Sequence, residues 1–382
     1  KNCVAGWLYT QVDPEHQRLD VRRAPMLRAV AAYDAEHERW LLQLISHHLV
    51  MDHTTLELLM KEIALIQQGR EEALPKPLPF RNFVAQARLG VSPDVHEVFF
   101  RDWLGDVEEP TAPFGILEVR GDGSDIEEVR LPLEPELARQ VRQQAQRHGV
   151  STASLFHLAW ALVLNKTTGQ DDVVFGTVLF GRMQGTEGAE RALGMFINTL
   201  PVRITTGAKS VNKCLHQTHD ALSELLHHEH ASLGLAQHCS GLSGGTPLFS
   251  SLLNYRYSSP HQEGSPLHAL EGMELLGDQE RTNYPITMSV DDLGHGFQLV
   301  GQVSRSIGAQ RLCDYLSTAI VGIVENLQAA PQQPLSEISL LRTGERQLLS
   351  EWGENTQQYL GTSLIHHLIE RQAEATPETT AL

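Results

Sequence analysis

Ser46-His47-His48-Leu49-Val50-Met51-Asp52-His53 is the stretch on which the reading of this chain turns. Ahead of it runs Trp40-Leu41-Leu42-Gln43-Leu44-Ile45, a short apolar segment that reads as a buried strand. Thr54 and Glu57 follow at capping-box spacing, and Leu56, Leu59, Met60, Ile63 and Ile66 recur at helical intervals. Two histidines and an aspartate are therefore expected where a strand gives way to a helix, a turn at which α/β proteins expose chemistry. Neighbours on a strand point to opposite faces, so His47 and His48 cannot both reach one substrate. One faces a cleft and the other packs behind it, unless both are satisfied within a core. Adjacent histidines are also a poor start for zinc, which takes ligands a helical turn apart or in spaced pairs.

Composition narrows the alternatives. A chain of 382 residues has room for two or three core-sized units, and 41% hydrophobic content is that of a globular protein. No apolar run reaches the length of a membrane helix, and Lys1 to Gly6 does not look like a signal peptide. A formal charge of −17 argues against nucleic acid or an anionic membrane as partner. Cys3, Cys214, Cys239 and Cys313 are far apart with no C-x-x-C, which suits a reducing cytoplasm and no metal framework. Neither a long repeat nor a G-x-G-x-x-G or P-loop is found.

Along the chain, Pro75, Pro77 and Pro79 make a stiff connector, and Glu108 to Pro113 reads as an acidic linker between lobes, with a boundary near residue 115. A strand is expected at 127–131, then a helix with Pro135 in its first turn and Gly149 past its end, burying Leu137, Val141 and Ala145. Ser151 caps a further helix. Val173 to Phe180 reads as a buried strand with Arg182 just beyond it. Helices are expected at 211–227 and 312–327, and strands at 247–255, 286–290 and 297–303.

Taken in series, these segments resemble the condensation domains of nonribosomal peptide synthetases. His47-His48-x-x-x-Asp52 is similar to their His-His-x-x-x-Asp-Gly signature. A bare His-x-x-x-Asp also occurs in chloramphenicol acetyltransferase and in plant and carnitine-type acyltransferases. Those lack the ordered series seen here: Asp171-Asp172-Val173-Val174-Phe175-Gly176-Thr177 with Gly181-Arg182, then Gly194-Met195-Phe196-Ile197-Asn198-Thr199-Leu200-Pro201-Val202-Arg203, then Asn283-Tyr284-Pro285-Ile286-Thr287. Leu19 to Ala29 and Phe80-Arg81-Asn82-Phe83-Val84 also resemble segments of that family. Leu348 to Thr356 and Ile365 to Gln372 resemble the linker into an adenylation domain.

The resemblance implies an α/β fold of two chloramphenicol acetyltransferase-like lobes, forming a V-shaped pseudo-dimer with a central tunnel. It divides the chain into 1–114, an N-terminal lobe lacking its beginning, 115–343, a C-terminal lobe, and 344–382, a linker towards an adenylation domain. It also implies a cytoplasmic enzyme that joins a carrier-bound aminoacyl amine to an upstream acyl or peptidyl thioester. The domain would bind no cofactor of its own. Donor and acceptor would arrive on the phosphopantetheine of carrier proteins. Two alternatives stand: a starter domain that N-acylates the first amino acid from a fatty acyl-coenzyme A, and an inactive carrier-docking platform. By motif position His48 is the catalytic residue, His47 packs behind it, and Asp52 pairs with Arg182 in a structural role. His53 replaces the motif's glycine and stands near the acceptor side of the tunnel, where Asn254 is a further candidate.

Three other signals are set aside. Gly241-Leu242-Ser243-Gly244-Gly245 matches G-x-S-x-G without the strand before and helix after that a nucleophile elbow needs. His227-His228-Glu229-His230 reads as a helix-to-loop join rather than a metal site, and Asp291 and Asp292 as a strand end facing solvent or capping a turn.

Overall fold

Leu27–Asp34 and Arg39–Ser46 make strands β1 and β2, paired antiparallel with Leu27 opposite Ser46 and Asp34 opposite Arg39. Helix α1 (Val4–Gln11) precedes them and buries Leu8. These elements come from a computed structural model that describes residues 4–11, 19–119, 125–182, 188–257, 272–274, 276–277, 282–354 and 364–380. Cys3 and the Asn355-Thr356 end of the linker motif lie outside them. The expected buried strand is only half buried: Leu41 is 5% exposed, whereas Trp40 is 72% exposed. The cause is topological, because among the described residues β2 has β1 as its sole strand partner.

After the turn, α2 (His53–Gln67) starts earlier than the Thr54-Glu57 box suggests. Its N-cap is Asp52, whose side chain accepts from the Thr55 amide. An ionised carboxylate beside the helix's unpaired amides caps better than a threonine hydroxyl. Helices α3 (Phe80–Leu89) and α4 (Pro93–Leu104) follow, the latter capped by Ser92.

The remainder is built on a six-stranded mixed sheet of β3 (Ile126–Pro132), β4 (Asp172–Leu179), β5 (Asn198–Thr205), β6 (Ser251–Tyr257), β7 (Ile286–Asp292) and β8 (Phe297–Ser304), in the order β3-β8-β7-β6-β4-β5. Among the described residues the parallel strand pairs of this sheet are β4–β6 and β6–β7. The accompanying helices are α5 (Pro135–His148), α6 (Thr152–Thr168), α7 (Val211–His227), α8 (Leu233–His238) and α9 (Ala309–Ala329). Gly149 ends α5 at φ 66°, a left-handed conformation that glycine adopts without a Cβ clash. Every residue of α6 from Ser154 to Asn165 is buried, so this mainly apolar helix is a core element covered on all sides.

Of the two readings of Asp291 and Asp292, turn capping holds for Asp292, whose Oδ1 accepts from the Gly294 amide at 3.0 Å, while Asp292 does not face solvent. Arg256 pairs with Asp291, while Arg142 and Tyr255 both donate to Asp292, which is 2% exposed. A buried carboxylate needs such partners, and neighbouring strands and α5 supply them.

The chain divides into two compact units, 1–340 and 341–382. The second contains α10 (Thr343–Gly353) and α11 (Ile365–Ala375), on which Ile365 and Ile369 are exposed. Among the described residues no helix is long and apolar enough to cross a membrane.

Candidate active site at the β2–α2 turn

The turn is tied to the end of the hairpin by the His47 amide, which donates to the Met26 carbonyl at 3.1 Å. The Val50 amide closes back on the His47 carbonyl, and the Leu49 amide donates to His47 Nδ1 at 3.1 Å. An imidazole nitrogen that accepts carries no proton, so His47 is tied into the turn as the Nε2–H tautomer. His48 has the opposite arrangement. Its Nδ1 lies 3.4 Å from the Met51 carbonyl, an oxygen that can only accept, so Nδ1 is the donor and carries a proton. His48 is exposed and His47 half-buried, so the two rings occupy different environments.

Asp52 is committed to structure at every oxygen. Oδ1 accepts from the Thr55 amide at 2.8 Å and Oδ2 from the Phe196 amide at 3.1 Å. Arg182 Nη2 lies 3.1 and 3.2 Å from the two oxygens, and both side chains are almost fully buried, at 1% and 2% exposed. Arg182 Nη1 donates to the Ala189 and Ala192 carbonyls, and the guanidinium lies 3.7 Å from the centre of the Phe196 ring. Burial pulls the guanidinium below its ordinary pKa and Asp52 works against that pull. With its lone pairs occupied, Asp52 is ill placed to act as a base.

Four residues not singled out from the sequence complete this junction: Thr55, Gly194, Phe196 and Asn198. Thr55 Oγ1 donates to the Gly194 carbonyl at 2.6 Å and accepts from the Gly194 amide at 3.0 Å. Phe196 covers Arg182 and packs on Phe80 and Phe83 at centroid distances of 5.2 and 4.3 Å. Asn198 donates to the Glu229 and Ala231 carbonyls, tying the start of β5 to the histidine-rich join after α7. Gly194, Phe196 and Asn198 stood inside a segment quoted as a motif, and their partners are visible only once the chain is folded. Thr55 carried a signal of its own, a polar residue three after the N-cap.

His53 is the first residue of α2. Its side chain is 66% exposed, with Nε2 3.2 Å from Glu57 Oε1 one helical turn on. Asn254 sits half-buried in β6 opposite Ser289, and no hydrogen bond among the described residues joins it to His48, Asp52 or Arg182. In the histidine-rich join, His228 Nδ1 lies 2.8 Å from His96 Nδ1 and its ring stacks on Phe99. Among the described residues no three His, Cys, Asp or Glu side chains are grouped to hold a metal. Cavities of about 530 Å³ beside Arg101, Asp106 and Arg203 and about 210 Å³ beside His96, His227 and His230 contain none of the predicted site residues.

His48 is thus an exposed imidazole with Nδ1 as donor, on a turn whose far end is locked by a buried ion pair, and in its neutral form the ring carries its lone pair on Nε2. That arrangement can accept a proton or orient an amine.

Comparison with known proteins gives this geometry a context. The family described as "Condensation domain" matches residues 9–350. Malpinin synthetase of Mortierella alpina is 46% identical over the whole chain, which spans 5% of that protein's length. Bacitracin synthase 3 of Bacillus licheniformis is 26% identical over 95% of the chain and 6% of its own length. Among solved structures, the condensation domain from Monacolin K polyketide synthase superposes with a TM-score of 0.69 at 18% identity, covering 87% of this chain and 78% of that one. A four-domain nonribosomal peptide synthetase gives a TM-score of 0.69 at 15% identity, covering 99% of this chain and 30% of that one. At these identities the structural likeness bears on the fold alone.

Proposed function

The chain belongs to the condensation domain family of nonribosomal peptide synthetases, and from that premise we propose that it forms an amide bond between two carrier-borne substrates. The amine of an aminoacyl thioester attacks the carbonyl carbon of an upstream acyl or peptidyl thioester. A C–N bond forms, the C–S bond breaks, and the freed thiol takes up the proton that the amine gives up. An α-amino group has a pKa of about 7.7–8.0, so much of it is protonated at neutral pH and cannot attack. An imidazole holding its lone pair on Nε2 can take or orient that proton, typically worth about 10²–10⁴-fold. Holding the two thioesters together can supply ~7–11 kcal/mol of the barrier, so positioning outweighs proton transfer.

The single observation that carries this reading is the His48 ring, held through Nδ1 by the Met51 carbonyl on an exposed turn. Asp52 and Arg182 serve as the buried clamp behind it, His47 as the packing partner. The proposal keeps a lobe boundary near residue 115 with a substrate tunnel between the lobes, and a linker towards an adenylation domain from 344. Its partners are donor and acceptor carrier proteins in the cytoplasm.

The test is His48→Ala within the synthetase module, supplied with loaded donor and acceptor carriers. Amide product is expected to fall by about 10²-fold or more while carrier loading is unchanged. Near-wild-type product formation removes His48 from the mechanism. Feeding a fatty acyl-coenzyme A in place of the donor carrier separates the starter role, and carrier binding without turnover by the wild type indicates a docking platform.

A further inference from the structure

We propose that Thr55 is the positioning residue that fixes where the β2–α2 turn presents His48, an inference that rests on the amide-forming role given to His48 above. Thr55 is 4% exposed, and its hydroxyl serves three neighbours. It donates to the Gly194 carbonyl at 2.6 Å, accepts from the Gly194 amide at 3.0 Å, and lies 3.2 Å from Arg182 Nη2. One side chain thus grips both backbone groups of a single residue, as a neighbouring strand would. Two bonds to one residue fix orientation as well as distance, and they join α2 to the backbone of residue 194, whereas the Asp52–Arg182 contact joins side chain to side chain.

The turn needs such an anchor. On its upstream side it hangs from β2 through the His47 amide, and β2 belongs to a two-stranded sheet with one open face. Among the described residues this hairpin has no third strand, and with α1 packed on it the hairpin is a slighter support than the six-stranded sheet. On its downstream side, residues 52–56 form one rigid group: Asp52 caps the Thr55 amide and the Asp52 carbonyl takes the Leu56 amide. Met51, whose carbonyl holds His48 Nδ1, precedes that group directly. Any displacement of the first turn of α2 therefore moves the carbonyl that orients the ring. A Cβ at Gly194 would overlap the Phe80 ring, so that ring packs directly on the residue that Thr55 holds.

Thr55→Val keeps the shape and removes the hydroxyl, leaving the Gly194 amide and carbonyl without this partner. Thr55→Ser keeps the hydroxyl. In the full synthetase module, Thr55→Val is expected to lower kcat for amide formation by about 10²-fold with the KM for loaded acceptor carrier unchanged, the scale of a misplacement near 1 Å. Thr55→Ser is expected to restore kcat to within about threefold of wild type, the lower end of the effect of a retained but less constrained hydroxyl. A second readout is independent of turnover: histidine ¹⁵N NMR of the same proteins, with His48→Gln identifying the signal. Wild type and Thr55→Ser should show His48 protonated on Nδ1, and Thr55→Val a shift of that tautomer balance. Should Thr55→Val fail to fold, Thr55→Cys, with a weak donor of similar size, takes its place. Equal losses in the hydroxyl-bearing and hydroxyl-free variants, or an unchanged His48 signal, overturn the proposal. Absence of amide formation by the wild type instead overturns the function proposed above, and the NMR comparison still decides the role of Thr55.

Discussion

At the scale of single residues, the buried Asp52–Arg182 pair is the interaction with the clearest energetic signature. Neither side chain retains appreciable solvent, so removing one partner strands the other's charge in the interior. Asp52→Ala is expected to cost about 3–5 kcal/mol, read from the urea midpoint at constant m-value. It also removes the N-cap of α2 and the acceptor for the Phe196 amide. The double variant Asp52→Ala/Arg182→Ala should lose clearly less than the sum of the two singles, because the stranded charge is then gone. Additive losses would mean that the two side chains act separately. Loss of amide formation with an unchanged midpoint would recast Asp52 as catalytic.

At the scale of elements, the segment between β4 and β5 carries the contacts that make the site. Gly181 has φ 69°, and a Cβ added there would overlap the Phe196 carbonyl. Gly149, at the end of α5, has nearly the same φ of 66° with nothing within 4 Å of an added Cβ. The comparison separates conformational strain from steric conflict. Gly149→Ala should cost about 1–2 kcal/mol, the strain of a left-handed residue. Gly181→Ala should cost more and lower amide formation as well, since Arg182 is its neighbour. Thermal unfolding of both variants beside wild type checks this, and equal shifts would contradict it. The β2–α2 turn shows why a helix start is easier to locate than to assign. Thr54 and Asp52 are both good caps, and the buried ion pair favours the aspartate.

At the scale of the whole molecule, buried neutral histidines set the acid limit of stability. His157, in α6, bonds to the Ala153 carbonyl through Nδ1 and to Thr177 through Nε2, and burial pushes its pKa from 6.5 down to about 4. Above pH 6.5 both folded and unfolded states leave it neutral, and no stability is lost. Between 6.5 and 4 the unfolded chain binds a proton that the folded chain does not, so stability falls with pH and the loss is complete below 4. At pH 5 this one group lowers stability by about 2 kcal/mol relative to neutral pH. Burial also holds His96, His148, His228 and His230 below their ordinary value, so they act in the same direction. Urea unfolding at pH 7 and pH 5 should show the drop, and His157→Gln should reduce it. An unchanged midpoint across that range would mean that His157 takes up a proton without unfolding.

The amino-acid sequence by itself determined the α/β class, most strands and helices of the six-stranded sheet region, the helix ends marked by Pro135, Gly149 and Ser151, and the strand-to-helix turn bearing His47, His48 and Asp52. These are local matters of periodicity and backbone preference, legible within a window of a few residues. The partners of that turn are not local. Thr55 meets Gly194 across 139 residues of chain, and Asp52 meets Arg182 across 130, a pairing that the family resemblance implied and that spacing alone does not show. The half-open face of β2 and the enclosure of Asp292 likewise followed from which strands and helices became neighbours. Only the tertiary structure decided them, because a buried charge or hydroxyl takes whatever donor or acceptor packing brings within hydrogen-bond reach, and sequence spacing does not encode that distance.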